Sequence, residues 1–163
     1  MLQQIKTHVA AAGAAAILGL APEAPLAQTV EERRERGAAV IRNLNNGMTQ
    51  PNLEAMRQEF PFLAEATEGY ALGDVWSRTA LDNRTRQLAA VAAFAAIGET
   101  AFMKVHAGYA LNIGVSEEEL KEVIYMVTVP AGFPKAIAAS QVLSQLFEER
   151  RNAGANQKRE TAP

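Results

Sequence analysis

The chain has no cysteine among its 163 residues. That excludes disulfides, thiolate metal ligands, cysteine nucleophiles and thiol redox chemistry. Histidine is nearly as scarce. Only His8 and His106 are present, and neither belongs to an HxxxH, HExxH or Glu-x-x-His pattern, so no multi-ligand metal signature exists. Aromatic residues make up 6% of the chain, and alanine fills the gap, which favours close helix packing over sheet. Neither charge sign dominates: the net charge of −2 leaves no electrostatic footprint for nucleic acid. There is no glycine-rich phosphate loop behind a strand and no G-x-S-x-G nucleophile elbow. No apolar run is long enough to span a bilayer.

What remains is an ordinary soluble composition, 48% hydrophobic and 21% charged, in a chain long enough for one domain with a proper core. The first 27 residues have the layout of a secretory signal. "MLQQIKTH" supplies a basic start, "VAAAGAAAILGL" a short apolar stretch, and "APEAPLAQ" a small-residue cleavage region with a cut after Ala27. The pattern predicts a signal peptide over 1–27 and a periplasmic or secreted mature protein, or a cytoplasmic one if the leader is not cleaved. A helical domain over 28–152 and a polar, flexible tail over 153–163 complete the expected organisation.

Helical signals dominate the mature chain. Residues 29–47 carry Val30, Ala38, Ile41 and Leu44 as an apolar stripe, with Asn46-Gly47 as a stop. The mixed-sign run "EERRER" reads as a solvated helix face. A helix–turn region follows over 51–76, with Pro61 at a helix start or a break. Residues 83–98 are apolar or small nearly all round, so this helix should be buried and end at Gly98. Residues 99–114 form the next helix, closed by Gly114. The helix over 116–130 opens with a capping box between Ser116 and Glu119. Pro130 and Gly132 interrupt the chain before a last amphipathic helix over 134–151. The expected fold is all-α, a compact bundle of about six to seven helices.

The chemistry-bearing residues are Asp74, Trp76, Ser77, Arg78, Arg84, Arg86 and His106. By three- and four-residue spacing, His106 shares a helix face with Phe102, Met103, Tyr109, Ala110 and Ile113. Such a histidine is either a core filler or an imidazole that titrates near neutrality and passes a proton. Arg86, at the polar end of a buried helix, is either an ion-pair clamp or an anion fork. Trp76 either plugs the core or lines a pocket, with Arg78 paired to a surface acid in the first case.

Together, "GDVWSRTALDNRTRQLAAVAAFAAIG" and "HAGYALNIGVSEEELKEVIYMVTVPAGFPKAIAA" resemble the carboxymuconolactone decarboxylase family over roughly residues 60–145. The linked order carries the resemblance: Trp-Ser-Arg, Leu-Asp, Arg-x-Arg-x-Leu, then a helix with His running into Asn-x-Gly-Val-Ser-x-Glu-Glu, and an Ala-Gly-x-Pro turn. It implies an alkylhydroperoxidase-like all-α fold assembled as a homo-oligomer, trimer or hexamer. One branch of that family reduces disulfides or peroxides with a Cys-x-x-Cys pair before the histidine. Those positions are Glu99 and Phe102 here, so this chain cannot run that chemistry. The other branch decarboxylates 4-carboxymuconolactone without a cofactor.

That reaction needs an anion site, an apolar pocket favouring loss of CO2, and an acid to protonate the resulting carbanion. The resemblance implies His106 as proton donor, Arg86 and Arg78 as anion contacts, Asp74 or Glu99 as the acid orienting the imidazole, and Trp76, Phe102, Tyr109 and Phe133 as pocket lining. The chain departs from the family pattern at Asp74, Phe102 and Pro130, where Glu, Glu and Tyr are usual. The expected function is therefore cofactor-independent decarboxylase-like chemistry on a small carboxylated lactone or related acid, with no metal, nucleic acid or membrane partner. The alternative is a non-catalytic oligomeric binding protein of the same fold.

Overall fold

The computed structural model describes residues 29–160; the expected signal peptide lies outside the described residues. Seven α-helices and one π-helical segment follow in chain order, and no strand occurs among the described residues. They are α1 (Val30–Leu44), α2 (Pro51–Glu59), α3 (Pro61–Ala66), the π-helical segment Thr67–Trp76, α4 (Asn83–Ile97), α5 (Thr100–Asn112), α6 (Glu117–Ala131) and α7 (Phe133–Glu160). The all-α expectation therefore holds.

Local chemistry explains most of the boundaries. Thr29 starts α1 with a capping box, its hydroxyl accepting from the Glu32 N–H while the Glu32 carboxylate accepts from the Thr29 N–H. Asp82 caps α4 by accepting from the Thr85 N–H at 2.6 Å, and this bond lowers the pKa of its carboxyl. Ser116 and Glu119 form the expected box at the start of α6. Gly98 ends α4 at φ +88°, a left-handed conformation that a side chain would strain.

Two expectations change at the C-terminal end. Pro130 does not stop α6, which runs one residue further to Ala131; in the last turn a missing N–H costs one bond, and the chain reverses at Gly132 with φ +82°. Nor does a break mark residue 152. Helix α7 continues through the segment expected to be a flexible tail as far as Glu160, because its Ala, Gln, Lys, Arg and Glu residues extend an existing helix readily.

The larger core is built from α4 to α7, around Val91, Met103, Ala107, Leu120, Val127 and Leu143. A second cluster joins α1 to the other side of α5 through Ile41, Leu44 and Tyr109, with Trp76 packed against it. Helix α5 is thus the wall between two cores: Met103, Ala107 and Ala110 face one, while Val105, Tyr109 and Ile113 face the other.

The contact between α1 and the π-helical segment is backbone on backbone. A Cβ on Gly37 would overlap the Glu68 carbonyl, and one on Gly73 would overlap that of Arg33. The arginines of "EERRER" are accordingly not a solvated face. Arg57 and Arg34 bracket the buried Glu68 at 2.5 and 3.6 Å. Arg33 and Arg36 both hold Asp74 at 3.1 Å. The acids of the π-helical segment, distant in sequence, draw these side chains inward.

Candidate active site

His106 lies on α5 at the edge between the two cores, in a nest of rings. Trp76 from the π-helical segment is 5.1 Å away, Phe94 from α4 stacks at 5.2 Å, and Tyr109 meets the ring edge-on at 6.0 Å, centroid to centroid. Its polar partner is Gln87 of α4, whose Oε1 is 2.8 Å from Nδ1. A carboxamide oxygen carries no proton, so Nδ1 is the donor, and in the neutral ring Nε2 holds the lone pair. Among the described residues Nε2 has no partner and is not one of the buried orphaned atoms, so it is the ring nitrogen left open to solvent or a ligand. Burial among rings lowers the His106 pKa to about 4, because desolvation disfavours the cation and no carboxylate offsets it. The imidazole is therefore neutral at neutral pH.

Gln87 is the residue that sequence reasoning missed. It is fully buried, and its Nε2 has no partner. The signal was available: it is the last polar residue before a stretch of purely apolar side chains in α4. A polar side chain entering a buried helix face has to find a partner there.

The remaining candidates are dispersed. Asp74, expected as an acid that orients the imidazole, is instead bound by Arg33 and Arg36, since its helix faces α1. Glu99 is exposed at the N-cap of α5 and makes no capping bond. Gln87, rather than either acid, is the side chain bonded to the imidazole. Arg86 does not present an anion fork, because its guanidinium donates to the carbonyls of Leu81 at 3.1 Å and Arg78 at 2.6 Å and so fastens the 77–82 loop.

Arg78 is exposed, and with Trp76 it lines an open cavity of about 460 Å³ between α1 and that loop. Tyr109 lines a different cavity, of about 560 Å³, and its hydroxyl accepts from Gln50 at 2.8 Å; burial raises its pKa. His106 borders neither directly and meets them through the Trp76 and Tyr109 rings. Phe102 is 58% exposed and stacks on Phe94, carrying the aromatic cluster to the surface. Phe133 is 70% exposed at the start of α7. Among the described residues no group of three His, Cys, Asp or Glu side chains converges on a metal position. No described helix is long and apolar enough to cross a membrane.

Two curated relatives match much of the described domain. The 4-carboxymuconolactone decarboxylase of Acinetobacter baylyi is 33% identical over 99 residues, covering 60% of this chain and 71% of the relative. The nitrosuccinic acid decarboxylase of Metarhizium robertsii is 30% identical over 105 residues, 61% of this chain and 72% of the relative. Residues 61–145 match the carboxymuconolactone decarboxylase family. That span begins at α3 and ends within α7, taking in Trp76, Gln87 and His106. This chain belongs to the carboxymuconolactone decarboxylase family.

Proposed function

We propose that this protein is a decarboxylase of small, multiply functionalised carboxylic acids, and that His106 handles the proton of the reaction. The observation carrying this reading is the His106 site itself: a largely buried imidazole packed against Trp76 and Phe94, with Nδ1 committed to Gln87 and Nε2 without a partner among the described residues. Two relatives named as decarboxylases support the reaction class.

In decarboxylation the bond to the carboxylate carbon breaks, CO2 leaves, and the electron pair flows into a neighbouring electron-withdrawing group. The carbon left behind then takes a proton. A water-poor aromatic nest favours the first step, because a carboxylate there loses hydration that neutral CO2 never needed. A ring nitrogen that takes up and returns a proton serves the second. Arg78 has no side-chain partner among the described residues and stands beside Trp76, where it suits a second carboxylate of the substrate.

We place the working form in a homo-oligomer. Large apolar side chains are exposed together at the end of the bundle where α4 meets α5 and α6 meets α7: Ile97 at 64%, Val129 at 85% and Phe133 at 70%. A cluster of that kind marks an interaction surface. Export with cleavage after Ala27 is part of the proposal and rests on the leader pattern alone.

The test is CO2 release by the purified protein from 4-carboxymuconolactone and nitrosuccinate, with His106→Ala as control. Turnover of either acid, lost in the variant, supports the reading. Thermal stabilisation by these acids without CO2 release would replace it with the binding-protein alternative.

A further inference from the structure

We propose that Gln87 is the positioning residue of this site: it holds His106 as the uncharged Nδ1–H tautomer, so that the substrate's own anionic group supplies the counter-charge with which Nε2 takes up a proton. The inference rests on the decarboxylase reading for its substrate, but not for the state of the free protein.

Every group packed against the ring points this way. From the π-helical segment comes Trp76; from α4 come Gln87 and Phe94; from α5 itself comes Tyr109, whose hydroxyl is turned away to Gln50. No carboxylate lies within ion-pair distance of His106 among the described residues. The charged groups nearby are committed elsewhere or turned outward. Asp74 is held by Arg33 and Arg36, Arg86 by two backbone carbonyls, Glu149 by Lys104, and Arg150 by Asn112, while Glu99 is exposed. The burial of Gln87 also has no other rationale. A carboxamide at zero exposure inside an apolar helix face is costly, and its one hydrogen bond in the site goes to the imidazole.

A carboxylate at position 87 would favour the imidazolium. A carboxamide cannot, yet it fixes ring orientation and tautomer equally well. The stoichiometry of the reaction suits this arrangement. Loss of CO2 from a carboxylate and protonation of the carbon consume one proton per turnover. A ring that is neutral when empty acquires that proton as the anion arrives, passes it to carbon, and is neutral again when the product leaves.

The experiment is ¹⁵N-edited NMR of the histidine rings in the full chain, with no substrate present. The chain has two histidines, so a His8→Gln variant assigns the signals. The expected wild-type result at neutral pH is a His106 ring protonated at Nδ1 and bare at Nε2. In Gln87→Glu the ring's midpoint should rise by roughly two pH units, so that near pH 5 the variant ring is doubly protonated while the wild-type ring is still largely neutral. In Gln87→Met, which keeps the volume but not the acceptor, a mixture of tautomers is expected. A wild-type ring that is cationic at neutral pH or carries its proton on Nε2 would overturn the proposal, and so would a folded Gln87→Glu protein whose ring titrates at the wild-type midpoint. If neither variant folds, the wild-type tautomer decides alone. Absence of CO2 release from both test acids would remove the decarboxylase reading and leave this measurement standing.

Discussion

Acidification should destabilise this protein through His106 in a window that its burial defines. In the unfolded chain a histidine titrates near 6.5, whereas in the folded protein desolvation lowers this one to about 4. Between those values the unfolded state binds the proton and the folded state does not, so stability falls as pH falls. The contribution is intact above about pH 6.5, erodes toward about pH 4, and changes no further below it. Integrating the two titrations between about pH 7.5 and about pH 5 gives a loss of about 2 kcal/mol from this one ring.

The perturbation that isolates it is His106→Phe, which preserves the stack on Trp76 and Phe94 and removes the titration. The variant should be less stable at neutral pH, because the Gln87 oxygen loses its partner, but the wild type should lose its advantage over it as pH drops. Urea unfolding followed by far-UV circular dichroism at several pH values reads the difference, provided the m-value stays constant. Trp76, the single tryptophan, lies against the ring and reports the same event: its fluorescence should be quenched with a midpoint well below that of a free histidine. Parallel stability profiles for wild type and variant, or a quenching midpoint near 6.5, would refute the burial argument.

Other sites yield sharp expectations. Gly37→Ala drives a methyl into the Glu68 carbonyl and should cost roughly 3 kcal/mol by urea unfolding, since backbone rather than a pliable side chain must move. Arg57→Ala leaves Glu68 buried with only Arg34 at 3.6 Å and should cost about 3 kcal/mol, whereas Arg151→Ala, whose pair with Glu117 is exposed, should cost under about 0.5 kcal/mol. Ser116→Ala removes the α6 cap and should cost about 1 kcal/mol, read as a lowered Tm. Val129→Asp should convert the proposed oligomer to monomer in light scattering while helix content is retained.

Sequence reasoning located the helices well because caps and breakers act within a few residues. The Ser116 box, Gly98 and Gly132 work on their own backbone, and each stands where the pattern placed it. It did less well where a residue's role depends on a partner far along the chain. "EERRER" looks solvated by itself, and only the arrival of Glu68 and Asp74, more than thirty residues later, turns three of its arginines inward. Arg86 could not be assigned from spacing because its partners are backbone carbonyls of a loop that has no periodic signature.

His106 shows the division most clearly. By itself, the sequence established a cysteine-free all-α chain of this family with a single histidine beyond residue 8, on a helix of apolar neighbours. That was enough to name the ring and to rule out thiol chemistry, because both follow from residue identity. Which side chain holds the ring, and in what charge state, was decided only by tertiary structure. The nineteen-position separation of Gln87 and His106 is closed by the packing of α4 on α5, and burial is a property of the assembled core rather than of any local stretch. The side chain bonded to the ring is a neutral carboxamide where an acid was expected, and in the proposed mechanism that exchange of a charge for a neutral partner sets the proton chemistry.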